Sequence, residues 1–383
     1  MSNTTLILLG AGTSSRFIDS SKSKDYTKSQ NYMKKQWLYS GDTPLWLQVT
    51  EKFESSAKFE KIIVVSSIED ILHMKNFANY EFVVGGNSRQ ESLKNALQIV
   101  TTKFTMVSDI ARCCVPKDMI ERILEAKDEA SCVVPTLLVT DTLYYDDKPI
   151  DREKMKIIQT PQLSVTKILK KALNTEQIFT DDSSAIASLG ESVHFVEGSA
   201  LAHKLTIEDD LKKLPCIKEA SSRTLTGYGI DIHPFEDGKE MSLCGVKIDV
   251  PYGFKAHSDG DVAIHALIDA LLGAAGMGDI GELYPDTDEN YRGADSKELL
   301  KDTVKRVNSF GYNIGNVDMT IMAETPKLLP YKAKMKKTLA SLLGIRENFV
   351  NIKATTAEKL GFIGRKEGVT VHSVANLTYK NYS

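Results

Sequence analysis

Three side chains in the second half of the chain have the types and the spacing of a zinc site. Asp231 and His233 are two residues apart in an extended segment, so both project from one face of a strand. His265 falls in a helical pattern between Asp261 and Ala275, in which Asp261, His265 and Asp269 are four residues apart and share one stripe. Two imidazoles and a carboxylate suit tetrahedral zinc and leave a fourth position for water or a substrate oxygen. An open position indicates catalysis rather than a structural role.

The ligands are flanked by long motifs. These read AHSDGDVAIHALIDALLGAAGMGDIGELYPDTD from Ala256, TIMAETPKLLP from Thr320 and NIKATTAEKLGFIGRKEG from Asn351. A lone histidine is more often an ordinary loop or helix residue than a ligand, but the neighbouring motifs favour metal binding here. From about Thr224 to Tyr382 the sequence resembles 2-C-methyl-D-erythritol 2,4-cyclodiphosphate synthase.

This resemblance implies zinc on Asp231, His233 and His265, with His257 and Ser258 holding the phosphorylated end of the substrate. It also implies a second divalent ion, magnesium or manganese, on Glu358. The implied methylerythritol pocket is lined by Asp279, Gly281, Tyr284, Asp286 and Asp288. The implied cytosine pocket contains Ala323, Pro326, Lys327, Leu328 and Leu329. The implied contacts to the phosphates and the ribose are Thr355, Thr356, Phe362 and Arg365.

The implied chemistry explains why metals are needed. The 2-phosphate of the substrate attacks the β-phosphate of its own cytidine diphosphate ester, so two anions that repel each other must be brought together. The products are a cyclic diphosphate and CMP. No side-chain nucleophile is required, which agrees with the lack of an activated serine or cysteine motif. A zinc hydrolase is the alternative for this half, and it would release a linear product.

The first half opens with a candidate phosphate-binding turn. The hydrophobic run Thr5 to Leu9 passes directly into Gly10-Ala11-Gly12-Thr13-Ser14-Ser15-Arg16, and backbone amides in such turns cradle phosphates. An ordinary strand-to-helix loop explains this turn equally well when it is taken alone. Further polar segments follow in order: KQWL from Lys35, GGNSRQES from Gly85, SDIAR from Ser108, TPQ from Thr160, TDD from Thr180 and HKLT from His203.

A helix is predicted directly after Gly86. Leu93, Ala96, Leu97 and Val100 fall at positions i, i+3, i+4 and i+7, and Ser88 with Glu91 is typical of a capping box. In order and kind, these segments resemble 2-C-methyl-D-erythritol 4-phosphate cytidylyltransferase over about Asn3 to Leu214. Such an enzyme joins CTP to methylerythritol phosphate and releases pyrophosphate.

By this second resemblance, Arg16 and Lys35 offset charge on the α-phosphate and Asp109 holds magnesium. The residues implied to wrap the triphosphate are Gly10, Ala11 and Gly12. Those implied to recognise cytosine and its neighbouring groups are Gly86, Ser88, Arg89 and Ser92. The implied contacts to methylerythritol phosphate are Arg152, Thr160 and Lys204, of which Lys204 also reaches the nucleotide phosphates. The alternative for each cation is a solvated surface charge.

The first half departs from the family pattern at several positions. Leu8 and Leu9 precede the glycine turn where proline and alanine are usual, Ser108 replaces a histidine, and Cys113 replaces a proline. A polar, lysine-rich insertion spans Ser20 to Lys34. These departures leave two alternatives open for this half: an assembly module, or a nucleotidyltransferase for another sugar phosphate.

The hydrophobic runs predict the fold class of each half. Ile62 to Val65, Thr105 to Val107 and Cys132 to Pro135 alternate with helical patterns, so we expect an α/β domain with a mostly parallel, Rossmann-like sheet. The second half is predicted to be α+β, with a helix from Ser296 to Phe310 and strands at Val317 to Met322 and Val350 to Ala354. The expected boundaries are 1–214 for the first domain, 215–223 for a linker and 224–383 for the second domain.

Composition limits the partners. The 383 residues carry a formal net charge of −3, which argues against nucleic acid as a partner, and no run approaches the roughly twenty apolar residues of a membrane span. Five cysteines without a CxxC pair are interpreted as reduced thiols of a cytoplasmic protein. Cys113 and Cys114, beside Arg112, are interpreted as packing residues in preference to reactive thiols.

The two resemblances together indicate a bifunctional enzyme of the non-mevalonate isoprenoid route with small-molecule substrates. A kinase must act between the two steps, so CDP-methylerythritol kinase is a candidate functional partner. The synthase resemblance implies a homotrimer and the transferase resemblance implies dimer contacts. A chain with both can close into a hexamer.

Overall fold

The computed structural model describes residues 3–20, 33–256, 258–285, 287–288 and 293–382, which form two compact units. The first unit contains the described residues up to 219 apart from Met33. The second contains Met33 and the described residues from 220 onward. In this part of the chain, no helix has the length and apolarity needed to cross a membrane.

The first unit alternates strands and helices, as the hydrophobic runs predict. Its strands are β1 Thr4–Leu9, β2 Tyr39–Ser40, β3 Thr43–Pro44, β4 Lys61–Ser66, β5 Glu81–Val84, β6 Phe104–Asp109, β7 Cys132–Leu138, β8 Leu143–Tyr145, β9 Lys148–Ile150, β10 Lys156–Ile158, β11 Gln162–Val165 and β12 Val193–Glu197. Its helices are α1 Ser15–Ser20, α2 Leu45–Ser56, α3 Ile68–Met74, α4 Arg89–Leu97, α5 Lys117–Glu125, α6 Thr166–Leu173 and α7 Asp182–Ser188.

The central sheet of this unit has eight strands in the order β10-β7-β11-β6-β1-β4-β5, with β12 paired to β7. Strand β1 is parallel to β4 and β6, whereas β11 is antiparallel to both of its neighbours, β6 and β7. The core packs strand residues such as Ile7, Ile63 and Val107 against Leu93 and Leu97 of α4. Since Leu9 pairs with Asp109, the carboxyl ends of β1 and β6 meet at one edge, where the glycine turn begins.

The segment predicted as a linker packs, in its first part, on the first unit. The Lys218 amide donates to the Ser40 hydroxyl at 2.9 Å, and the Gln48 side-chain amide donates to the Cys216 carbonyl at 2.9 Å. Cys216 also forms a disulfide with Cys114. The expectation that all five cysteines are reduced thiols is therefore wrong for Cys114 and Cys216. The pairing was not visible in the sequence because 102 residues separate the partners.

The second unit is α+β. Its strands are β13 Thr224–Asp237, β14 Met241–Leu243, β15 Val246–Ile248, β16 Tyr252–Phe254, β17 Tyr312–Met322, β18 Val350–Thr355 and β19 Gly368–Tyr379. Its helices are α8 Val262–Ala275, α9 Ile280–Leu283, α10 Ser296–Ser309, α11 Lys332–Leu343 and α12 Gly361–Gly364. The main sheet has the order β16-β13-β19-β17-β18, in which β13 and β19 pair antiparallel and β17 and β18 pair parallel.

Helix α8 lies unusually close to β13. A Cβ atom at Gly229 would lie 2.1 Å from the carbonyl oxygen of Ala266, and one at Gly227 would lie 2.0 Å from that of Ala270. Only glycine permits this approach, which places Asp231 and His233, on the same face of the strand, beside the helix. The opposite face exposes Tyr228, Ile230 and Ile232, which are 57%, 45% and 50% accessible.

Candidate active sites

A cavity of about 610 Å³ opens at the carboxyl edge of the first sheet. Its wall combines the glycine turn after β1 with the start of α4 and the end of β6. Eleven of the residues expected at the nucleotide site line it: Gly10, Ala11, Gly12, Arg16, Lys35, Gly86, Ser88, Arg89, Ser92, Asp109 and Lys204. The structure thus brings together segments that are up to 195 positions apart, since the lining runs from Leu9 to Lys204.

Close packing requires glycine at Gly10 in this wall and at Gly85 just beside it. A Cβ at Gly10 would lie 2.4 Å from the Ile110 side chain, and one at Gly85 would lie 2.3 Å from the Cβ of Ala11. The predicted cap at α4 is present in part, because the Ser88 hydroxyl accepts from the Glu91 amide at 3.0 Å. The Glu91 carboxylate instead accepts from the Asn87 amide at 2.8 Å, so the reciprocal arm of the capping box is displaced by one residue.

Charged groups in the cavity are paired closely. The Lys204 ammonium lies 2.6 Å from the Asp109 carboxylate, and Arg89 Nε lies 3.5 Å from the other oxygen of Asp109. Burial opposes ionisation of Asp109, but Lys204 and Arg89 together hold its pKa below the ordinary value. Burial, together with the neighbouring Lys204, lowers the pKa of Lys35 to about 8. The Lys35 ammonium donates to the Leu205 carbonyl at 3.1 Å.

Two expected transferase contacts lie elsewhere in the described chain. The Thr160 hydroxyl, which is buried, accepts from the Asp109 amide at 3.5 Å and so sits behind the cavity wall. Arg152 is exposed and donates to the Thr140 carbonyl at 2.5 Å, away from the lining residues. Gln36 and Asn87 also line the cavity and were not singled out as ligand contacts. Both lie within motifs already recognised, KQWL and GGNSRQES, which is the signal that could have identified them.

The second unit brings together the three side chains that the sequence predicts as metal ligands. Ligand atoms of Asp231, His233 and His265 all lie within 4.8 Å of one another. One Asp231 oxygen is 3.2 Å from His233 Nε2 and 3.2 Å from His265 Nδ1. That buried oxygen has no hydrogen-bond partner within the part of the chain that the structure describes. The donor set and its spacing fit a tetrahedral cation with one open position.

The remaining ring nitrogens are held by neighbouring groups. His233 Nδ1 lies 3.0 Å from the Gly260 carbonyl, which makes it the donor of that bond. His265 Nε2 lies 3.0 Å from the Ser296 hydroxyl and 3.3 Å from that of Ser258. Ser296 in turn donates to Asp259 at 2.5 Å. Such outer contacts fix the orientation of the rings and leave one nitrogen of each directed at Asp231.

Asp261 and Asp269 were expected on one helical stripe with His265, and they have different surroundings. Asp261 is the N-cap of α8 and is fully buried. Its carboxylate accepts from the amides of Ile264, Cys244 and Gly245. Asp269, one turn beyond His265, accepts from the Ile280 amide at 2.8 Å. Asp261 therefore joins the β14–β15 hairpin to α8, whereas Asp269 fixes the start of α9.

The expected methylerythritol contacts lie along α9 and the residues after it. Asp279 is the N-cap of α9, Gly281 lies within that helix, and the Asp288 amide donates to the Pro285 carbonyl. Tyr284 is buried, and its hydroxyl contacts Asp302 at 3.0 Å and Thr303 at 3.1 Å, so it anchors α10. His257 and Asp286 lie outside the described residues.

The expected cytosine and phosphate contacts form another group at the ends of β17 and β18. The Ala323 amide donates to the Thr355 carbonyl, and the Lys359 amide donates to Glu324 at 2.8 Å. Glu358 accepts from the Thr356 hydroxyl at 2.7 Å. Other members lie in the same two segments: Pro326, Lys327, Leu328, Leu329, Phe362 and Arg365, of which Arg365 pairs with Glu367 at 2.8 Å.

This group is separated from the metal ligands by the width of the sheet. Ile232, between the two β13 ligands, pairs with Thr370, which pairs with Met322, which pairs with Thr355. Three strand spacings of roughly 4.8 Å place Thr355 on the order of 14 Å from Ile232. One copy of the chain therefore keeps the predicted metal ligands and the predicted cytosine contacts apart.

A further group of metal-ligating atoms contains Cys113, Cys114 and Cys216. Cys113 Sγ lies 3.9 Å from Cys114 Sγ. Because Cys114 and Cys216 are joined in a disulfide, their sulfur atoms are not available as thiolate ligands in this structure. Burial raises the pKa of Cys113 to about 11, so this thiol is largely protonated near neutrality.

Comparison with known proteins assigns a family to each unit. The family model of 2-C-methyl-D-erythritol 4-phosphate cytidylyltransferase matches residues 26–218, and that of the YgbB family matches residues 224–378. The bifunctional enzyme IspD/IspF of Sulfurovum sp. (strain NBC37-1) is 68% identical over 382 residues, which are 100% of this chain and 99% of that protein. The corresponding protein of Aliarcobacter butzleri (strain RM4018) is 53% identical over 100% of this chain and 99% of its own length.

A solved structure extends the similarity to the whole fold. The bifunctional IspDF of Campylobacter jejuni superposes with a TM-score of 0.89 at 48% identity, covering 99% of both chains. Fold and sites together define a two-domain enzyme with a nucleotidyltransferase domain and a cyclodiphosphate synthase domain. The chain belongs to the bifunctional IspD/IspF family of the non-mevalonate isoprenoid pathway. The predicted fold class and the predicted bifunctional activity are confirmed.

Proposed function

We propose that residues 1–214 transfer a cytidylyl group from CTP to 2-C-methyl-D-erythritol 4-phosphate. We propose that residues 224–383 convert the 2-phosphorylated product to 2-C-methyl-D-erythritol 2,4-cyclodiphosphate and CMP, and that residues 215–223 join the two. The observation that carries the first assignment is the cavity in which Arg16, Lys35 and Lys204 surround the glycine turn. The observation that carries the second is the group Asp231, His233 and His265.

In the transferase, a phosphate oxygen of methylerythritol phosphate attacks the α-phosphorus of CTP and pyrophosphate leaves. Backbone amides at Gly10 to Gly12 and the ammonium groups of Lys35 and Lys204 bind the phosphates. Cations fixed around the α-phosphate stabilise the charge that develops in the transition state. Asp109 would hold magnesium, which supplies further neutralisation of the triphosphate when bound.

In the synthase, Asp231, His233 and His265 would hold zinc, and Glu358 would hold a second divalent ion, magnesium or manganese. Such ions neutralise the two phosphates of the substrate and so reduce their mutual repulsion. The Ser258 hydroxyl, 3.3 Å from His265 Nε2, is placed to bind a phosphate oxygen beside the ligands. Asp279 and Gly281 would position the methylerythritol carbon chain, and Lys327 would bind at the cytidine end. No proton-transfer residue is needed for a phosphate to attack a phosphate.

We propose that the synthase works as a homotrimer. The separation of the cytosine group from the metal ligands supports this, since a second copy can bring its own Thr355 and Lys327 to the metal ligands of the first. The exposed Tyr228, Ile230 and Ile232 supply an apolar face for such contacts. Dimer contacts through the transferase unit, where Arg152 lies outside the cavity of its own chain, would extend the assembly to a hexamer.

The kinase that must act between the two reactions is proposed as a functional partner, and the cytoplasm as the location, because CTP and the phosphorylated intermediates occur there. The direct test of the transferase is to incubate the purified chain with magnesium, CTP and 2-C-methyl-D-erythritol 4-phosphate and to follow pyrophosphate release. Turnover that is selective for CTP over UTP and ATP supports the assignment. Protein that cyclises the later intermediate without this turnover would refute it.

The synthase is tested by whether its product is cyclic or linear. The chain is incubated with the 2-phosphorylated CDP-methylerythritol, and the product is analysed by phosphorus NMR. A cyclic diphosphate with one equivalent of CMP supports the proposal, whereas a linear product identifies a hydrolase.

A further inference from the structure

We propose that Asp182 is a positioning residue for cytidylyl transfer, which holds Arg89 at the wall of the nucleotide cavity and keeps it off Asp109. The proposal rests on the proposed transferase site. Arg89 is the first residue of α4 and Asp182 is the first residue of α7. Arg89 Nη1 lies 2.8 Å from Asp182 Oδ1, and Asp182 is fully buried.

Arg89 is shared between two carboxylates. Its Nε lies 3.5 Å from Asp109 Oδ1, so the shorter contact is the one to Asp182. Asp109 has its own short contact to Lys204, at 2.6 Å. Each carboxylate therefore has one cation at hydrogen-bond distance, and Asp182 is the partner that keeps Arg89 from becoming a second close cation on Asp109.

Removal of the Asp182 charge redistributes these contacts. An arginine without its buried partner is drawn to the next carboxylate, which is Asp109 at 3.5 Å. A guanidinium held on Asp109 competes with the magnesium that this carboxylate is proposed to bind. Asp182 does not line the cavity, so it acts on the reaction through Arg89 rather than by touching the substrate.

An unused donor indicates what the fixed guanidinium does. Arg89 Nη2 is buried and has no hydrogen-bond partner among the residues that the structure describes. Leaving a buried donor unpaired is unfavourable, and a ligand oxygen in the cavity would supply the missing partner. Because Arg89 lines the cavity, holding Nη1 on Asp182 leaves Nη2 for an oxygen of the bound nucleotide.

Hydrogen bonds around Asp182 hold the start of α7 in place. The neighbouring Asp181 is the N-cap of α7, and its carboxylate accepts from the Gln162 side-chain amide at 3.0 Å. The Gln162 side-chain oxygen Oε1 accepts from the Ser183 amide at 2.9 Å. Both contacts join the start of α7 to β11, the strand that pairs with β6 and so lies beside Asp109.

The test is a double-mutant cycle in the full-length chain, with the variants Asp182→Asn, Arg89→Gln and the double variant. Pyrophosphate release is measured over a range of CTP and magnesium concentrations. Asp182→Asn should lower kcat/KM for CTP by about tenfold or more and raise the half-saturating magnesium concentration severalfold, because a free Arg89 occupies Asp109. The double variant should be no worse than Arg89→Gln alone, since Asp182 acts only through Arg89.

Two controls keep the result interpretable. Asp118→Asn removes a carboxylate from the exposed Asp118–Arg122 pair, whose oxygen and nitrogen are 2.6 Å apart, and should leave all constants unchanged. If Asp182→Asn does not fold, the double variant is compared with Arg89→Gln. The double variant removes both charges of the buried pair and so leaves neither of them unpaired. Activity of the unaltered chain in the same assay tests the proposed function separately.

Two results would overturn the proposal. One is a folded Asp182→Asn variant with unchanged CTP and magnesium dependence. The other is a double variant whose loss equals the product of the two single losses, since that means the residues act independently. If Asp182 only stabilises the fold, Asp182→Asn should reduce the yield of soluble protein. The protein that still folds should then have the magnesium dependence of the unaltered chain.

Discussion

The ammonium group of Lys204 lies 2.6 Å from the carboxylate of Asp109, although 95 positions separate the two residues. The Lys204 side chain is 38% accessible and that of Asp109 only 11%. The acid is therefore fixed by the end of β6, while the lysine extends over it from the cavity side. Such a pair can open when a nucleotide brings phosphates for the lysine and magnesium for the acid.

Replacement of Lys204 by alanine should lower kcat/KM for pyrophosphate release by a factor on the order of 10²–10³, the usual loss on removal of one fixed group that stabilises transition-state charge. The measurement is a coupled pyrophosphate assay at saturating magnesium. Lys212→Ala is a suitable control, because Lys212 is an exposed lysine paired with Asp209 at 2.8 Å outside the cavity lining. A Lys204→Ala variant within twofold of the unaltered chain would contradict the role given to Lys204.

We expect Lys35 to make the transferase sensitive to alkaline pH. Burial and the nearby Lys204 lower its pKa to about 8 from the ordinary 10.5, so the free enzyme loses this cation as pH rises through 8. We expect kcat/KM for CTP to fall above about pH 8, since this constant reports ionisations of the free enzyme. The measurement is a pH profile between 6.5 and 10, with magnesium held constant.

Lys35→Arg is the matched control, because arginine stays charged throughout this range. Its profile should lack the fall near pH 8, even if its maximum is lower. The effect of pH on folding stability has the opposite sign to its effect on activity. Between pH 8 and 10.5 the unfolded chain binds more protons at this position than the folded chain, so the contribution of Lys35 to folding becomes more favourable as pH rises. A Lys35→Arg profile with the same fall would mean that another group titrates.

The sequence predicted the sheet class, and it predicted that most of the residues now found lining the first cavity would lie close together, for a definite physical reason. Carboxyl ends of adjacent parallel strands meet at one edge, so Gly10 after β1 and Asp109 at the end of β6 had to lie close. The contacts that individual side chains make were less predictable from the sequence. Tyr284 was expected in a substrate pocket, whereas its hydroxyl contacts Asp302 and Thr303. The partner of Cys114 depends on how distant segments pack, which local pattern does not encode.

Ser296 should control how firmly the synthase holds its metal. Its hydroxyl lies 3.0 Å from His265 Nε2 and donates to Asp259, so it fixes the ring that presents Nδ1 to Asp231. Ser296→Ala should weaken zinc binding by about 10–100-fold, as is typical when such an outer contact is lost. The readout is zinc content after competition with a chelator. The half-buried Ser309 offers the control variant Ser309→Ala, because its hydroxyl donates to the Arg306 carbonyl within α10 and so serves no metal ligand. Equal zinc retention in both variants would remove Ser296 from this role.

The close approach of α8 to β13 should make Gly229 intolerant of any side chain. A methyl group there would lie 2.1 Å from the Ala266 carbonyl oxygen and 2.8 Å from the Ala270 amide, both of which are backbone atoms that cannot turn aside. Gly229→Ala should destabilise the second unit by about 1–3 kcal/mol or more and should release zinc, because the helix that carries His265 must move away from Asp231. Urea unfolding and zinc content measure the two effects.

Gly273→Ala provides the opposite expectation in the same helix. Apart from the chain neighbours of Gly273 and the backbone of α8 itself, no atom of the described residues lies within 4 Å of a Cβ at Gly273. Alanine there should stabilise α8 by roughly 0.5–1 kcal/mol through its higher helix propensity. If both variants were destabilised equally, the close approach at Gly229 would not be the cause.

The Cys114–Cys216 disulfide should set the number of free thiols and part of the stability of the first unit. Protein that is unfolded in the presence of an alkylating agent and without reductant should carry three alkylated thiols, Cys113, Cys132 and Cys244. Protein that is reduced first should carry five. Cys216→Ser should lower the free energy of unfolding by at most about 4–5 kcal/mol, because the disulfide closes a loop of 102 residues in the unfolded chain. With reductant present, the unaltered chain and the variant should unfold at the same denaturant concentration, since neither then carries the cross-link.

Five alkylated thiols before reduction would instead place the working enzyme in its dithiol form, in which Cys113, Cys114 and Cys216 are all available to soft metal ions.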